Sequence, residues 1–202
     1  MRPIRFLLIP LVLLLGACAS TPSNTANVCS MFEERSSWFK AARKAQDRWD
    51  IPVPVSMAFI ERESGFRARA KPPRTRILWI IPGPRPSNAF GYAQALDSTW
   101  SDYKDASGNW FARRSNFADA VDFVAWYNHM SVRQNGIPPS DAYSLYLAYH
   151  EGNGGYRRGT YAGKEWLLSA ARNVQSNASR YETQLQTCES RLGRSWLRRL
   201  LF

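Results

Sequence analysis

Apolar residues recur at helical spacing along most of the chain. Beyond Cys29, the positions Phe32, Phe39, Ala42, Ala45 and Trp49 suit one helix face, and Asp50-Ile51-Pro52 ends that run. The stretch Val55-Ser56-Met57-Ala58-Phe59-Ile60 is too apolar for a surface segment; Pro52 and Pro54 mark a helix start before it and Gly65 a stop after it. Asp97-Ser98-Thr99-Trp100 reads as a helix start with a polar cap. Phe117, Val121, Val124 and Met130 predict a helix ended around Asn135-Gly136. Ser140 or Asp141 can cap the next, which runs through Leu145 and Ala148 to Glu151 before Gly152-Asn153-Gly154-Gly155 stops it. The last helix has the clearest period, with Leu167, Ala171, Val174, Ala178, Tyr181, Leu185 and Cys188 at alternating steps of four and three. Nothing reads as a run of alternating strands. The expected fold class is mostly α.

Three segments lack this period. Ala19 to Asn27 is rich in Ser, Thr and Asn, and reads as a flexible tether. Residues 67–90 interleave Arg67, Arg69, Lys71, Arg74, Arg76 and Arg85 with five prolines around the apolar patch Ile77-Leu78-Trp79-Ile80-Ile81. A structureless insertion of that length is functional or disordered: a cleft wall with Trp79 as a stacking platform, or an apolar patch packed on the domain. Residues 191–202 alternate Arg191, Arg194, Arg198 and Arg199 with Leu192, Trp196, Leu197, Leu200 and Phe202. Such a basic amphipathic tail can lie on an anionic membrane surface, or pack on its own domain.

The amino terminus changes the picture. Arg2 and Arg5 precede an apolar run from Phe6 to Leu15 that is short for a bilayer span and reads as a secretory signal. It closes on Leu15-Gly16-Ala17-Cys18, which resembles the bacterial lipobox. The resemblance implies a signal peptide over 1–17, a lipid on Cys18, and, with Ala19 following, anchoring at the outer membrane facing the periplasm. Residues 18–28 then form the lipidated tether, 29–190 the single domain and 191–202 the tail. Loss of Arg2 and Arg5 lowers the net charge from +11 to +9, so the mature chain stays basic and suits a polyanionic partner. Nucleic acid is one such partner, but the export signal and the lack of a nucleic-acid motif favour the cell wall or anionic lipid. With Cys18 assigned to lipid, Cys29 and Cys188 remain as an even pair in an oxidising compartment. A disulfide between them would close nearly the whole domain and stabilise it by about 4–5 kcal/mol before strain.

The candidate chemistry centres on Ile60-Glu61-Arg62-Glu63-Ser64-Gly65-Phe66. Glu63 is expected in the last turn of a buried helix, where burial and the negative helix end both disfavour its charged form. A carboxyl kept protonated near neutral pH is what general-acid cleavage of a glycosidic bond needs. The alternative is a helix-end glutamate paired with Arg62, Arg67 or Arg69. Glu61 lies two residues away, on nearly the opposite helix face, and suits a salt bridge. His129 and His150 have no ligand-spaced companions, so no metal and no cofactor is expected.

Three separated pieces occur in a telling order. Glu63-Ser64 with Phe66, then Gly91-Tyr92-Ala93-Gln94 with Thr99, then Ala148-Tyr149-His150-Glu151-Gly152, resemble the three signatures of the soluble lytic transglycosylase family, of the lysozyme-like superfamily. The resemblance covers roughly residues 29–188. It implies a lysozyme-like SLT domain interrupted by a Pro/Arg-rich insertion. It implies cleavage of peptidoglycan strands between N-acetylmuramic acid and N-acetylglucosamine, with Glu63 acting as acid and then base to leave 1,6-anhydro ends. It makes Ser64 a residue that orients the carboxyl, and Gln94, Tyr149 and Tyr181 polar contacts to substrate or to Glu63. Tyr92 and His150 are further candidates, while Phe66 reads as core. His150 stands where the family has Asn, and the 67–90 insertion separates the first two motifs widely. Two rivals remain: a hydrolytic muramidase with Glu151 or an acid from the cleft wall as second carboxylate, and a non-catalytic peptidoglycan-binding lipoprotein of the envelope.

Overall fold

The computed structural model describes residues 20–77 and 81–201. The expected signal peptide, the lipidation position Cys18 and the Leu78-Trp79-Ile80 part of the apolar patch lie outside them. The described chain is mostly α, with helices α1 (Val28–Glu34), α2 (Ser36–Trp49), α3 (Val53–Ser64), α4 (Asp97–Ser107), α5 (Phe117–Asn135), α6 (Ala142–Arg157) and α7 (Glu165–Leu201). One small antiparallel pair, β1 (Arg76–Ile77) and β2 (Ile81–Pro82), pairs Arg76 with Pro82 and Ile77 with Ile81.

Helix α3 is the axis of the domain. Pro52 sits at its N-cap, and Gly65 ends it in the left-handed region at φ 57°. Every residue from Val53 to Ile60 is buried, and all but Ser56 are apolar, so these two turns are enclosed on every side. It packs against α7, α5 and α2, while α2 also packs on α5 and α6 bridges α5 to α7. The long period read in α7 is its contact face: Leu167, Ala171, Val174, Ala178, Tyr181, Leu185 and Cys188 are all buried, and Leu192 continues the row.

Several boundaries differ from the sequence pattern. The single helix expected from Cys29 to Trp49 breaks at Arg35, whose backbone leaves helical geometry (φ −131°, ψ 72°). There the guanidinium reaches back to donate to the Ser20 carbonyl and hydroxyl at 2.8 and 2.9 Å. The glycine cluster after Glu151 bends α6 at Gly152 (φ 73°, ψ 156°) instead of stopping it, and the helix resumes to Arg157. Leu96 takes the N-cap of α4 without a side-chain cap, whereas Asp141 caps α6 by accepting from the Ser144 N–H at 3.0 Å.

The segment expected to be a flexible tether is held against the domain from residue 20 onward. Ser23 donates to Glu34, Tyr181 donates to the Thr25 carbonyl at 2.6 Å, and Gln184 donates to the Ala26 carbonyl while accepting from the Val28 N–H. Buried Pro22 completes the contact. The backbone of α7 runs unbroken through Leu201, so the expected tail is the end of the domain's last helix and not a separate element.

Cys29 on α1 and Cys188 on α7 are joined by a disulfide, closing a loop between residues separated by 159 positions. Cross-linking the two ends of the domain restricts the unfolded chain far more than the folded one. Reduction, or Cys188→Ser, is expected to lower unfolding free energy by about 2–5 kcal/mol. Denaturant titration with and without reductant checks this, with an unchanged midpoint as the contrary result.

Candidate active site

Helix periodicity places the acid. Phe59 and Glu63 are four residues apart on α3 and share a face; Tyr146 and Tyr149 are three apart on α6 and share another. The two faces meet, with the Phe59 ring edge-on to Tyr146 at 5.4 Å and to Tyr149 at 5.3 Å. Tyr127 of α5 closes the group against Tyr149 at 5.0 Å. Glu63, one turn beyond Phe59, therefore faces phenols in place of water. It keeps a partial exposure.

The electrostatics follow from that enclosure. Burial raises the Glu63 pKa to about 7, against the Tyr146 hydroxyl, which as a hydrogen-bond donor favours the carboxylate, and the Arg62 charge, which acts the same way. Burial and the nearby Glu63 charge raise the Tyr146 and Tyr149 phenols, and burial raises Tyr127. All three stay neutral wherever Glu63 titrates. Glu63 is consequently divided between acid and base forms near neutrality, the condition for donating and then accepting a proton.

The second motif is held beside this group by backbone contacts. The Tyr149 hydroxyl donates to the Ala93 carbonyl at 2.7 Å. Gly91 donates to the Ala70 carbonyl at 3.0 Å and Tyr92 to the Arg114 carbonyl at 3.2 Å. A Cβ on Gly91 would lie 2.1 Å from that same Arg114 carbonyl, and its φ of +81° is in the left-handed region, so glycine is required there. Ala70 and Gly91 form a neck that closes off residues 71–90, leaving the core continuous across the insertion. Trp38 seals the inner side: it stacks on Phe117 at 3.8 Å and also touches Phe66 and Tyr92 at 5.8 Å each.

Several expected roles change in this geometry. Ser64 donates to the Ile60 carbonyl at 3.1 Å and is buried, so it ties off the helix end and does not orient the Glu63 carboxyl. Tyr92 is 2 % exposed between Trp38 and Phe117, a core residue and not a substrate contact. Gln94 spends its amide N–H groups on the Ala70 and Gly91 carbonyls at 3.0 and 2.8 Å. Only its carbonyl is left to offer a ligand, because an amide has two donor hydrogens. Tyr181 is buried with its hydroxyl on Thr25 and beside Glu61, so it anchors the amino-terminal segment and does not serve Glu63. Tyr149 remains at the acid. Phe66 is wholly buried, as expected of core, although its backbone adopts φ 59°. Bulky residues rarely take that conformation, and strain of this kind concentrates near functional sites.

His150 is exposed, 3.2 Å from Glu151 and edge-on to the Trp166 ring at 4.9 Å. Glu151 accepts from Lys164 at 2.8 Å through both oxygens and from Thr160. Those contacts hold its pKa down to about 2. Glu61 pairs with Arg180 at 3.4 Å. Among the described residues no group of three His, Cys, Asp or Glu side chains is placed to hold a metal.

Tyr146 is the residue that motif reading passes over. Its signal was its place one helical turn before Tyr149, which puts both hydroxyl-bearing rings on one face of α6.

A family model described as the transglycosylase SLT domain matches residues 6–188. The chain matches no curated protein and no solved structure.

A raised acid pKa makes a stability statement. Between the usual carboxylate value of 4.5 and about 7 the folded chain binds a proton that the unfolded chain has lost, so Glu63 costs stability increasingly as pH rises through that window. Glu63→Gln is expected to unfold at higher denaturant than the parent at pH 8, by on the order of 2–3 kcal/mol, with the gap closing below pH 4.5. Urea titrations at both pH values test this; a pH-independent gap would contradict it. Tyr146→Phe removes a donor to the carboxylate while keeping the ring, and is expected to move the Glu63 titration to higher pH.

Proposed function

The chain belongs to the transglycosylase SLT domain family, and on that premise we propose that it cleaves peptidoglycan without water, leaving 1,6-anhydro-N-acetylmuramic acid ends. Membership implies a peptidoglycan-related activity of the lytic transglycosylase type. The observation that supports the finer reading is a carboxyl with a pKa of about 7 enclosed by tyrosines, while the motif's other carboxylate, Glu151, is locked into contacts with Lys164 and Thr160.

Glu63 in its acid form donates a proton to the oxygen between the muramic C1 and the glucosamine C4. That C1–O bond breaks, the glucosamine unit leaves as an alcohol, and the acetamido carbonyl of the muramic unit stabilises the electron-poor C1. The Glu63 carboxylate then takes the proton of the muramic C6 hydroxyl as that oxygen bonds to C1. Proton balance closes on Glu63, which ends as it began, and one residue performs both transfers because its pKa lies between the needs of acid and base. The neutral Tyr146 hydroxyl steadies the carboxylate form between the two steps, a positioning role. A hydrolase would need a second carboxylate to activate water. Glu151, depressed to about pKa 2 and paired with Lys164, is a poor base for that step.

The site of action that fits this chemistry is the periplasmic face of the outer membrane, with the lipid on Cys18 as anchor. This placement rests on Leu15-Gly16-Ala17-Cys18 and the apolar run before it.

Mass spectrometry of peptidoglycan digested by the full-length protein in detergent tests the reading. The parent and Glu151→Gln are expected to release anhydro-muropeptides, and Glu63→Gln at least about 1,000-fold less, as for loss of an obligatory acid–base group with partial compensation by binding. Reducing ends would indicate a hydrolase, and strand binding without products a non-catalytic role. The activity of the parent should fall as pH rises above about 7, since the acid form is then lost.

A further inference from the structure

The insertion between the first two motifs builds a depression of about 380 Å³ against the domain. One side comes from the insertion itself, through Lys71, Arg85 and the run from Ser87 to Phe90; the other is Asp97 at the start of α4 with Arg114. Arg114 and Asp97 pair at 2.6 Å, so their charges cancel. Lys71 and Arg85 remain in excess.

The two cations are poorly matched from within. Among the described residues the Lys71 ammonium has the Phe90 ring as its contact, 5.6 Å from the centroid, and no carboxylate. Arg85 donates to the Pro72 carbonyl through one guanidinium nitrogen, and a guanidinium carries five N–H donors in a fork that fits a carboxylate. Ser87 and Asn88, whose hydroxyl and amide can donate, line the same depression. An ammonium, a guanidinium fork and neutral donors around one hollow are the recognition chemistry of a carboxylate.

Its position gives that carboxylate an owner. Phe90 lies three residues before Ala93, whose carbonyl receives the Tyr149 hydroxyl beside Glu63. Extended chain covers at most about 3.3–3.6 Å per residue, so Phe90 on the rim of the depression lies within about 11 Å of Ala93. The peptide stem of peptidoglycan leaves the muramic unit whose C1–O bond breaks, and about three extended stem residues span the same length. We propose that this depression is a subsite for a carboxylate of the glycan's peptide stem, with Lys71 and Arg85 as the recognising cations. The proposal rests on the peptidoglycan reading above. The insertion would then select strands that carry acidic stems.

Calorimetric titration of the full-length Glu63→Gln protein in detergent tests it with three tetrasaccharides: one stripped of stems, one with free-acid stems, and one whose stem carboxylates are amidated. At low salt the free-acid ligand is expected to bind about tenfold more tightly than the other two, with the gap narrowing as salt is added. Lys71→Ala with Arg85→Ala in the same background should remove the gap. Equal affinity for free-acid and amidated ligands overturns the proposal without recourse to any further variant, so a misfolded double variant cannot rescue it. A gap that survives in a folded double variant also overturns it. Reducing ends from the parent enzyme on stripped strands would refute the transglycosylase reading alone and leave the affinity comparison to judge the subsite.

Discussion

Holding one carboxyl out of water at the end of an enclosed helix is the constraint on which the rest depends. A glutamate at a surface helix end would be fully ionised at neutral pH and useless as an acid. Glu63 escapes that because α3 is buried on every side from Val53 to Ile60 and is packed by α7, α5 and α2. The helix carries its last turn into a ring of phenols that cannot ionise near neutrality. The same packing that stabilises the domain by burying apolar surface thus destabilises one charge inside it.

That arrangement would be fragile if the insertion disturbed it, and two devices prevent this. The neck at Ala70 and Gly91 joins the strands of chain entering and leaving the insertion by direct hydrogen bonding, reinforced by the Gln94 amide. Trp38, wedged among Phe66, Tyr92 and Phe117, packs the ends of both motifs into the core. Motif residues that a family reading assigns to substrate therefore have structural roles here. Ser64, Tyr92 and the donors of Gln94 hold the frame, and Tyr149 both borders the acid and ties the second motif to it. The amino-terminal segment is treated likewise: Tyr181 and Gln184 of α7 fasten residues 25 and 26 close to the Cys29–Cys188 bond.

The helical class, the enclosed character of α3, the contact row of α7 and the place of Glu63 in the last turn of a buried helix were legible in the order of residues. They depend on periodicity and on local stops such as Pro52 and Gly65, which neighbours along the chain decide. What only the tertiary structure decided is where each polar hydrogen goes. Whether Tyr181 or Tyr146 serves Glu63, whether Glu151 is a free base or a partner of Lys164, and whether residues 20–27 hang loose or lie fastened turn on contacts between residues far apart in sequence. A hydroxyl or carboxylate has no preferred partner until the packing of helices brings one within about 3 Å, and that packing is a property of the whole chain, not of any stretch of it.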